Sequence, residues 1–329
     1  MSKLIVFGSA RMDAFMDLPD SKADQLCSID EKNCFIQLSY AAKISMDNVE
    51  FKVGGNGANV AVGTKRLGVD SSLVAELGEG PLADYVQNTL GKEIDMNYVT
   101  QTSGINQGFG AVIVYQGERT ILSYYSPKQP PFPDNIDSYS WAYLTSVGDK
   151  FDEFYEKVYE WLSKNDTKLV FNPGGRQINK GREWLGKYIA RSELVISNRE
   201  ETEKIVGMTN TFGKEKDLID AYSAMGPKVV ILTDGMNGSF TKSDGNYYKC
   251  SIFPSDSIER TGAGDAFSSG VLASYINGKS LEEAMVVGTV NSASVVGFVG
   301  PEDGLLDQNS LTEWLERAKS SGVTVEKLT

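Results

Sequence analysis

The fold is decided by the stretch Arg260-Thr261-Gly262-Ala263-Gly264-Asp265-Ala266-Phe267. Its two glycines come just before a run of small and apolar residues, a pattern that predicts a turn leading into a buried helix. The first amides of a helix have no partner within the helix, and the helix dipole is positive there. Because glycine lets an anion approach the main chain closely, the amides of Gly262, Ala263 and Gly264 are predicted to bind a phosphate group.

Asp265 is unusual in such a turn, because a carboxylate there repels a resting phosphate. Its presence is explained if it accepts a proton from a hydroxyl group while the phosphoryl group lies on the neighbouring amides. The alternative is that Asp265 only caps the helix, which is common for aspartate near a helix start. The stretch alone leaves both interpretations open.

The composition is that of a soluble globular protein. The chain has 329 residues, of which 41% are hydrophobic and 23% charged, enough for one large α/β domain with an insertion or for two domains. The formal net charge is -12, and no basic run offsets it. Since nucleic acids and anionic membranes bind clustered positive charge, we predict neither as a partner.

Histidine is absent, which excludes Ser-His-Asp and Cys-His catalysis and zinc sites with histidine ligands. The three cysteines, Cys27, Cys34 and Cys250, have no C-x-x-C spacing, so we expect reduced thiols that act as packing residues. The start of the chain is too short and too strand-like for a signal peptide, and no long apolar run follows. We therefore predict a cytoplasmic protein.

The first half of the chain predicts a strand at 4–7 and then a turn, which places Asp13 at the edge of a sheet where ligands bind. Residues from about 14 to 53 do not form a clean crossover helix. They contain short, half-exposed strands at 35–38 and 49–53 instead. A hairpin at 108–125 is expected to pair with this insertion to form a small separate sheet.

The second half alternates strands and helices. Strands are predicted at 142–146, 169–172, 194–197 and 229–233, with helical segments between them. Such alternation is typical of an α/β fold with a doubly wound, mostly parallel sheet flanked by helices. We treat residues 1–329 as one such domain with the small inserted sheet.

Other polar turns accompany these elements. A second glycine-rich turn, at 54–59, enters a helix, and the amides of Asn56 and Asn59 suit sugar hydroxyls because each both donates and accepts hydrogen bonds. The pair Asn198-x-x-Glu201 suits a Mg²⁺ shell formed through water. Taken singly, residues of these types are more often turn or cap residues. Neither glycine-rich turn completes the G-x-G-x-x-G pattern, and no P-loop is present.

Taken in order, four motifs resemble those of the ribokinase-like (PfkB) carbohydrate kinases over nearly the whole chain. They are Gly54-Gly55-Asn56-Gly57-Ala58-Asn59, Asn198-x-x-Glu201, Thr233-x-Gly235-x-x-Gly238 and Thr261-Gly262-Ala263-Gly264-Asp265. The resemblance implies transfer of the γ-phosphoryl group of ATP, with Mg²⁺, to a hydroxymethyl group of a sugar or nucleoside. It also implies that the inserted strands are a lid, which often forms a dimer interface in this family.

The resemblance assigns roles to individual residues. It implies that Asp265 is the base and that the amides of 262–264 form the anion hole. The sugar would lie against Asp13, Gly55, Asn56 and Asn59. The nucleotide side would comprise Asn198, Glu201 (to Mg²⁺, through water), Thr233, Gly235, Gly238 and Asn291, the last of them near the adenine.

The chain departs from the family at two places. Glu259-Arg260-Thr261 replaces the Asp-Thr-Thr of members activated by a monovalent cation, so potassium dependence stays open. Arg260 is a candidate for neutralising nucleotide phosphate. Asn56 stands where ribokinases and phosphosugar kinases tend to have lysine, which favours an unphosphorylated sugar or a nucleoside. A catalytically silent sugar- or nucleotide-binding protein on the same fold is the main alternative.

Overall fold

The structure is a computed structural model that describes residues 3–27, 34–128, 130–243, 245–255 and 258–328. Along these residues the strands are β1 (Lys3–Phe7), β2 (Arg11–Asp17), β3 (Asp24–Cys27), β4 (Cys34–Gln37), β5 (Asn48–Gly54), β6 (Asp70–Glu79), β7 (Val99–Asn106), β8 (Phe109–Tyr115), β9 (Glu118–Tyr124), β10 (Trp141–Leu144), β11 (Lys168–Phe171), β12 (Ser192–Asn198), β13 (Val229–Thr233), β14 (Ser239–Ser243), β15 (Asn246–Cys250) and β16 (Val325–Leu328). The α-helices are α1 (Asn56–Arg66), α2 (Pro81–Leu90), α3 (Asp152–Lys164), α4 (Gly175–Ile178), α5 (Arg182–Arg191), α6 (Arg199–Val206), α7 (Glu215–Ser223), α8 (Ala263–Ile276), α9 (Leu281–Val295) and α10 (Gln308–Ser320).

A ten-stranded sheet forms the centre of the molecule, in the order β16-β15-β14-β13-β12-β11-β10-β1-β6-β7. The strands from β13 to β7 pair in parallel, which confirms the predicted doubly wound sheet. The three strands at the other edge, β14 to β16, pair antiparallel and were not predicted. Their alternating, partly polar residues give a weaker signal than the continuous apolar runs of strands buried on both faces.

Two hydrophobic cores lie on opposite faces of this sheet. Along β1, Leu4 and Val6 pack into the core with α1, α8 and α9, whereas Ile5 and Phe7 pack into the core with α3 and α5. This alternation follows from the two-residue period of a strand. No helix among the described residues is long and apolar enough to cross a membrane.

The lid is a four-stranded sheet in the order β5-β2-β8-β9. The 108–125 hairpin pairs with the insertion as predicted, through the parallel contact of β8 with β2. Since β2 begins at Arg11, the lid starts earlier than the predicted residue 14, and Asp13 lies within a lid strand. Residues alternate between a covered inner face, with Asp13 and Phe15, and an outer face on which Phe51 is 52% and Leu122 59% exposed.

The prediction for two of the cysteines is wrong. Cys27 and Cys34 form a disulfide, whereas Cys250 is buried and free, as expected. The register of the two-stranded hairpin of β3 and β4 places Cys27 opposite Cys34, so their proximity depends on strand pairing, which sequence spacing does not show. The same pairing keeps the predicted strand at 35–38 out of the lid sheet. The cysteines therefore no longer support the predicted cytoplasmic location. Residues 28–33 of the insertion lie outside the described part of the chain.

Candidate active site

The glycine-rich loop before α8 is fixed by close packing. Gly262 has φ 81° and immediately precedes the helix, and a Cβ atom there would lie 2.4 Å from Cβ of Pro301. Only glycine fits this left-handed, crowded position. Ala263 N donates a 3.3 Å hydrogen bond to Arg260 O, whereas Gly264 is exposed and a Cβ there would meet open space. The first turn of α8 is therefore open to solvent at Gly264.

Asp265 lies where the starts of α1 and α8 meet. Asn56 Nδ2 donates to Asp265 Oδ1 at 3.2 Å, and Asn59 Nδ2 donates to Asp265 Oδ2 at 2.7 Å. The residue before α8 is Gly262, so no side chain caps this helix start. The hydrogen bonds that described residues give to the Asp265 carboxylate come from side chains of α1, which argues against a simple capping role.

Burial raises the pKa of Asp265 to about 6, an effect opposed by Asn59, Arg11 and Asn56 and reinforced by Glu201. The desolvated carboxylate is therefore still ionised near neutral pH, and it is more basic than an exposed aspartate. A group in this state can accept a proton from a hydroxyl.

Asp13 is held on the inner face of the lid. A Cβ atom at Gly54 would come within 2.5 Å of Asp13 Oδ2, and one at Gly110 within 2.1 Å of Oδ1, so both glycines allow the carboxylate to lie flat between the strands. Arg11 Nε is 2.8 Å from Asp13 Oδ1. Burial raises the pKa of Asp13, and Arg11 opposes this rise.

Two buried acceptor oxygens, one on Asp13 and one on Asn59, lack donors. No described residue donates a hydrogen bond to Asp13 Oδ2 or to Asn59 Oδ1. Buried oxygens without a partner are costly, and hydroxyl groups of a ligand are suitable donors for both. Gly55, also predicted here, has φ 104°, and a Cβ there would lie 2.5 Å from Ser9 O, so this glycine allows the start of α1 to contact the end of β1.

Asn198 ends β12, and Glu201 lies in the first turn of α6. They form a capping box on α6, in which Asn198 Oδ1 accepts from Glu201 N at 2.8 Å and Glu201 Oε2 accepts from Asn198 N at 3.0 Å. Burial raises the pKa of Glu201, and this carboxylate is close enough to Asp265 to raise the pKa of that residue. Within the described chain, no group of three or more acidic or cysteine side chains is arranged to hold a metal ion.

The predicted nucleotide turn follows β13. Thr233 ends the strand, a short turn spans Gly235–Asn237, and Asp234 N donates to Gly238 O at 2.8 Å. Gly238 has φ 89°, and a Cβ there would lie 2.1 Å from Cys250 O, so the position requires glycine for the close approach of β15. A Cβ at Gly235 would meet open space.

Arg260 and Glu259 connect the glycine-rich loop to the lid. Arg260 Nη1 lies 3.5 Å from Glu118 Oε1, and Arg119 Nε lies 3.5 Å from Glu259 Oε1. Glu259 Oε1 also accepts hydrogen bonds from Thr261 N at 2.7 Å and Thr261 Oγ1 at 2.6 Å. Two ion pairs thus join the loop to the tip of the β8–β9 hairpin. The loop supplies the cation in one pair and the carboxylate in the other.

Asn291 does not reach the cleft. Its side chain is fully buried, donating to Ala266 O at 2.8 Å and Ser269 Oγ at 3.1 Å and accepting from Leu306 N at 2.9 Å. These bonds link α9 to α8 and to the segment before α10. The predicted contact with adenine has no support in this geometry.

Sequence reasoning missed Arg11. This residue is two positions before Asp13 in β2, so both point to the same face of the lid, and its guanidinium lowers the pKa of Asp265. The two-residue period would have revealed it if β2 had been recognised as a strand.

The family model for the pfkB family of carbohydrate kinases matches residues 23–308. The chain belongs to this family. It is thus an ATP-dependent phosphotransferase. An ATP-dependent 6-phosphofructokinase from Thermoanaerobacterium thermosaccharolyticum is 23% identical over 316 residues, covering 91% of this chain and 96% of that protein. A 5-dehydro-2-deoxygluconokinase from Clostridium perfringens is 21% identical over 287 residues, covering 81% and 85%.

The fold of this PfkB kinase is ribokinase-like. The structure of Arabidopsis thaliana ribokinase complexed with ribose and ATP superposes with a TM-score of 0.78, at 20% identity, covering 96% of this chain and 99% of that one. The likeness includes the mostly parallel sheet and the separate small lid. It confirms the fold predicted from the four motifs.

Proposed function

We propose that this PfkB kinase transfers the γ-phosphoryl group of ATP to a hydroxymethyl group of a sugar or nucleoside, with Asp265 as the general base. The observation that carries the proposal is the position of Asp265. Two asparagines of α1 orient its carboxylate at the start of α8, and burial raises its pKa to about 6. A base near neutrality that is already oriented suits proton transfer from an alcohol.

In this mechanism the acceptor lies against the inner face of the lid. Asp13 Oδ2 and Asn59 Oδ1 accept hydrogen bonds from hydroxyl groups that are not phosphorylated, which satisfies both buried oxygens. Asp265 takes the proton of the attacking hydroxyl as its oxygen bonds to the γ-phosphorus and the bond from that phosphorus to the β,γ-bridging oxygen breaks, which releases ADP. The backbone around Gly264 receives the transferred group, since amides at a helix start favour negative charge.

The nucleotide lies on the opposite side, along the turn of Thr233, Gly235 and Gly238. Asn198 and Glu201 face the phosphates, and Arg260 adds positive charge beside the loop. Because Glu201 is one half-buried carboxylate and not part of a cage, it fits a Mg²⁺ ion that is bound mainly by phosphates and water. That ion would neutralise phosphate charge. Glu259, which replaces the usual aspartate, leaves activation by a monovalent cation as a question for assay.

The outer face of the lid supports a homodimer. Its exposed apolar side chains include Val49 and Phe51 on β5 and Leu122 and Tyr124 on β9, the two edge strands of the lid sheet. Exposed apolar surface of this kind marks interaction sites. Light scattering of wild type and of Leu122→Asp tests the dimer, because the added charge is expected to yield monomers.

The experiment that tests the function is coupled ADP release with ATP, Mg²⁺ and a panel of sugars, sugar acids and nucleosides. Asp265→Asn is expected to lose about 10²- to 10⁴-fold in kcat, because a general base typically contributes that much. Asp220→Asn is the matched control, since Asp220 is a surface carboxylate paired with Lys242. Normal turnover in Asp265→Asn would rule out this mechanism.

A further inference from the structure

A small cavity adjoins Arg11 at the carboxyl ends of β1 and β6. Its volume is about 30 Å³. Its polar wall is formed by Ser9, Arg11, Glu76, Tyr125, Ser126 and Lys128. None of these residues belongs to the motifs that indicate the kinase family.

Two positive side chains, Arg11 and the exposed Lys128, and one carboxylate, Glu76, line this cavity. Arg11 Nη1 donates to Tyr125 Oη at 3.0 Å. The guanidinium of Arg176, which pairs with Asp149, lies 4.2 Å from the centre of the Tyr125 ring. Lys128 has no carboxylate within ion-pair distance in the described part of the chain. It is nevertheless close enough to Glu76 to lower the pKa of that residue.

A second feature of the cavity points to a ligand. The hydroxyl of Ser9 is buried, and no described residue forms a hydrogen bond with it. Ser9 is only 8% exposed, yet it lines the cavity. A buried hydroxyl without a partner is unfavourable, and an oxygen of a bound group would satisfy it.

The charge of Arg11 is only partly accounted for by Asp13. Arg11 Nε contacts Asp13 Oδ1, while Nη1 is directed at the neutral hydroxyls of Tyr125 and Ser123. The planar guanidinium offers five donors in a fork that matches a planar anion. Arg11 thus connects the Asp13 site, where the acceptor hydroxyls are proposed to bind, to the cavity.

We propose that the cavity binds an anionic group of the acceptor, so that the substrate is a sugar acid or another anionic sugar. The proposal rests on the kinase function proposed above. The hydroxymethyl group lies at Asp265, the middle hydroxyls at Asp13 and Asn59, and the anionic end between Arg11, Ser9 and Lys128.

The test compares each sugar acid with its neutral parent sugar and with a phosphosugar of the same length. Coupled ADP release is measured with wild type, Lys128→Gln and the control Lys279→Gln, which removes an exposed lysine at the start of α9. The acid is expected to have a kcat/KM at least ten times that of its parent. Lys128→Gln should raise the KM for the acid about tenfold, because charge-assisted hydrogen bonds are strong, and leave the KM for ATP unchanged.

Binding without ATP separates this proposal from the kinase function. Sugar acids are expected to raise the unfolding temperature of wild type, and to do so less for Lys128→Gln than for Lys279→Gln. Such stabilisation, with no ADP release in the presence of any acceptor, supports the anion site and contradicts the proposed transfer to a hydroxymethyl group. Preference for phosphosugars supports the site with phosphate as the anion. Turnover of neutral sugars or nucleosides alone, or equal acid KM values in Lys128→Gln and Lys279→Gln, overturns the anion site and leaves the kinase function intact.

Discussion

The proposed acceptor side and the proposed nucleotide side of the site are built differently. On the proposed acceptor side, side chains contact side chains: Asn56 and Asn59 hold Asp265, and Arg11 holds Asp13. On the proposed nucleotide side, the predicted residues interact mainly with the backbone. Asn198 and Glu201 cap α6, and Gly238 makes room for a neighbouring strand.

Because of this difference, the two groups of residues are expected to affect different properties, the reaction in one case and the stability of the fold in the other. A side chain that orients another titratable group affects the rate and its pH dependence, whereas a cap or a turn glycine affects first the stability of its element. Substitutions on the acceptor side should therefore change catalysis at constant stability. Substitutions on the nucleotide side should change stability, with a separate effect on ATP affinity only where the residue also touches the nucleotide.

The largest effect in this comparison is expected for Asn59→Ala. It removes the 2.7 Å charge-assisted hydrogen bond to Asp265, worth about 1.5–3 kcal/mol, so kcat should fall roughly 10- to 100-fold. Loss of this donor also raises the pKa of Asp265, which should move the acid limb of the pH profile upward. Alanine has a high helix propensity, so the urea concentration at the midpoint of unfolding should stay unchanged. An unchanged pH profile would contradict the orienting role.

Asn291→Leu should reduce stability and spare nucleotide binding. It leaves Leu306 N buried without its acceptor, at a cost of about 1–3 kcal/mol. Urea unfolding measures this loss, and the KM for ATP of the folded variant should match that of wild type. A raised KM for ATP with unchanged stability would instead support the adenine contact implied by the family resemblance.

The pH profile of wild type tests the state of the base. Because the proposed base, Asp265, would accept a proton only in its ionised form and its pKa is about 6, kcat/KM should be level above pH 7 and fall about tenfold per unit below 6. Initial rates between pH 4.5 and 8.5, with the coupling enzymes in excess, measure where kcat/KM falls on the acid side of the profile. A limb near pH 4 would mean that the carboxylate is not desolvated in the active enzyme.

The smallest effect is expected from two cap variants. Asn198 and Ser280 both begin a helix with a capping box, on α6 and α9 respectively. Asn198→Ala and Ser280→Ala should each cost about 1 kcal/mol of unfolding free energy. If Asn198 also contacts the nucleotide phosphates, only its variant should show a raised KM for ATP. Equal KM values for ATP in the two variants would mean that Asn198 acts only as a helix cap.

The sequence predicted the fold because its signals are local. The continuous apolar strands, the helices between them and the glycine-rich turn before Asp265 were all correctly placed, since each depends on residues adjacent in the chain. Strand pairing was less accessible. β2 was not recognised, so Arg11 was missed, and the register that joins Cys27 to Cys34 was not anticipated.

By itself, the sequence determined the mostly parallel, doubly wound sheet and the kinase family, and it supplied the candidate residues of the site. Only the tertiary structure decided what these residues do to one another. Asn56 and Asp265 are more than 200 positions apart, and burial, which sets the pKa of Asp265, exists only once α1, α8 and the lid surround it. Asn291 shows a limit of the sequence. A polar residue in a helix of small and apolar residues gives the same sequence pattern whether its side chain contacts a ligand or links two helices. Hydrogen bonding and desolvation depend on distance in space, which periodicity along the chain does not encode.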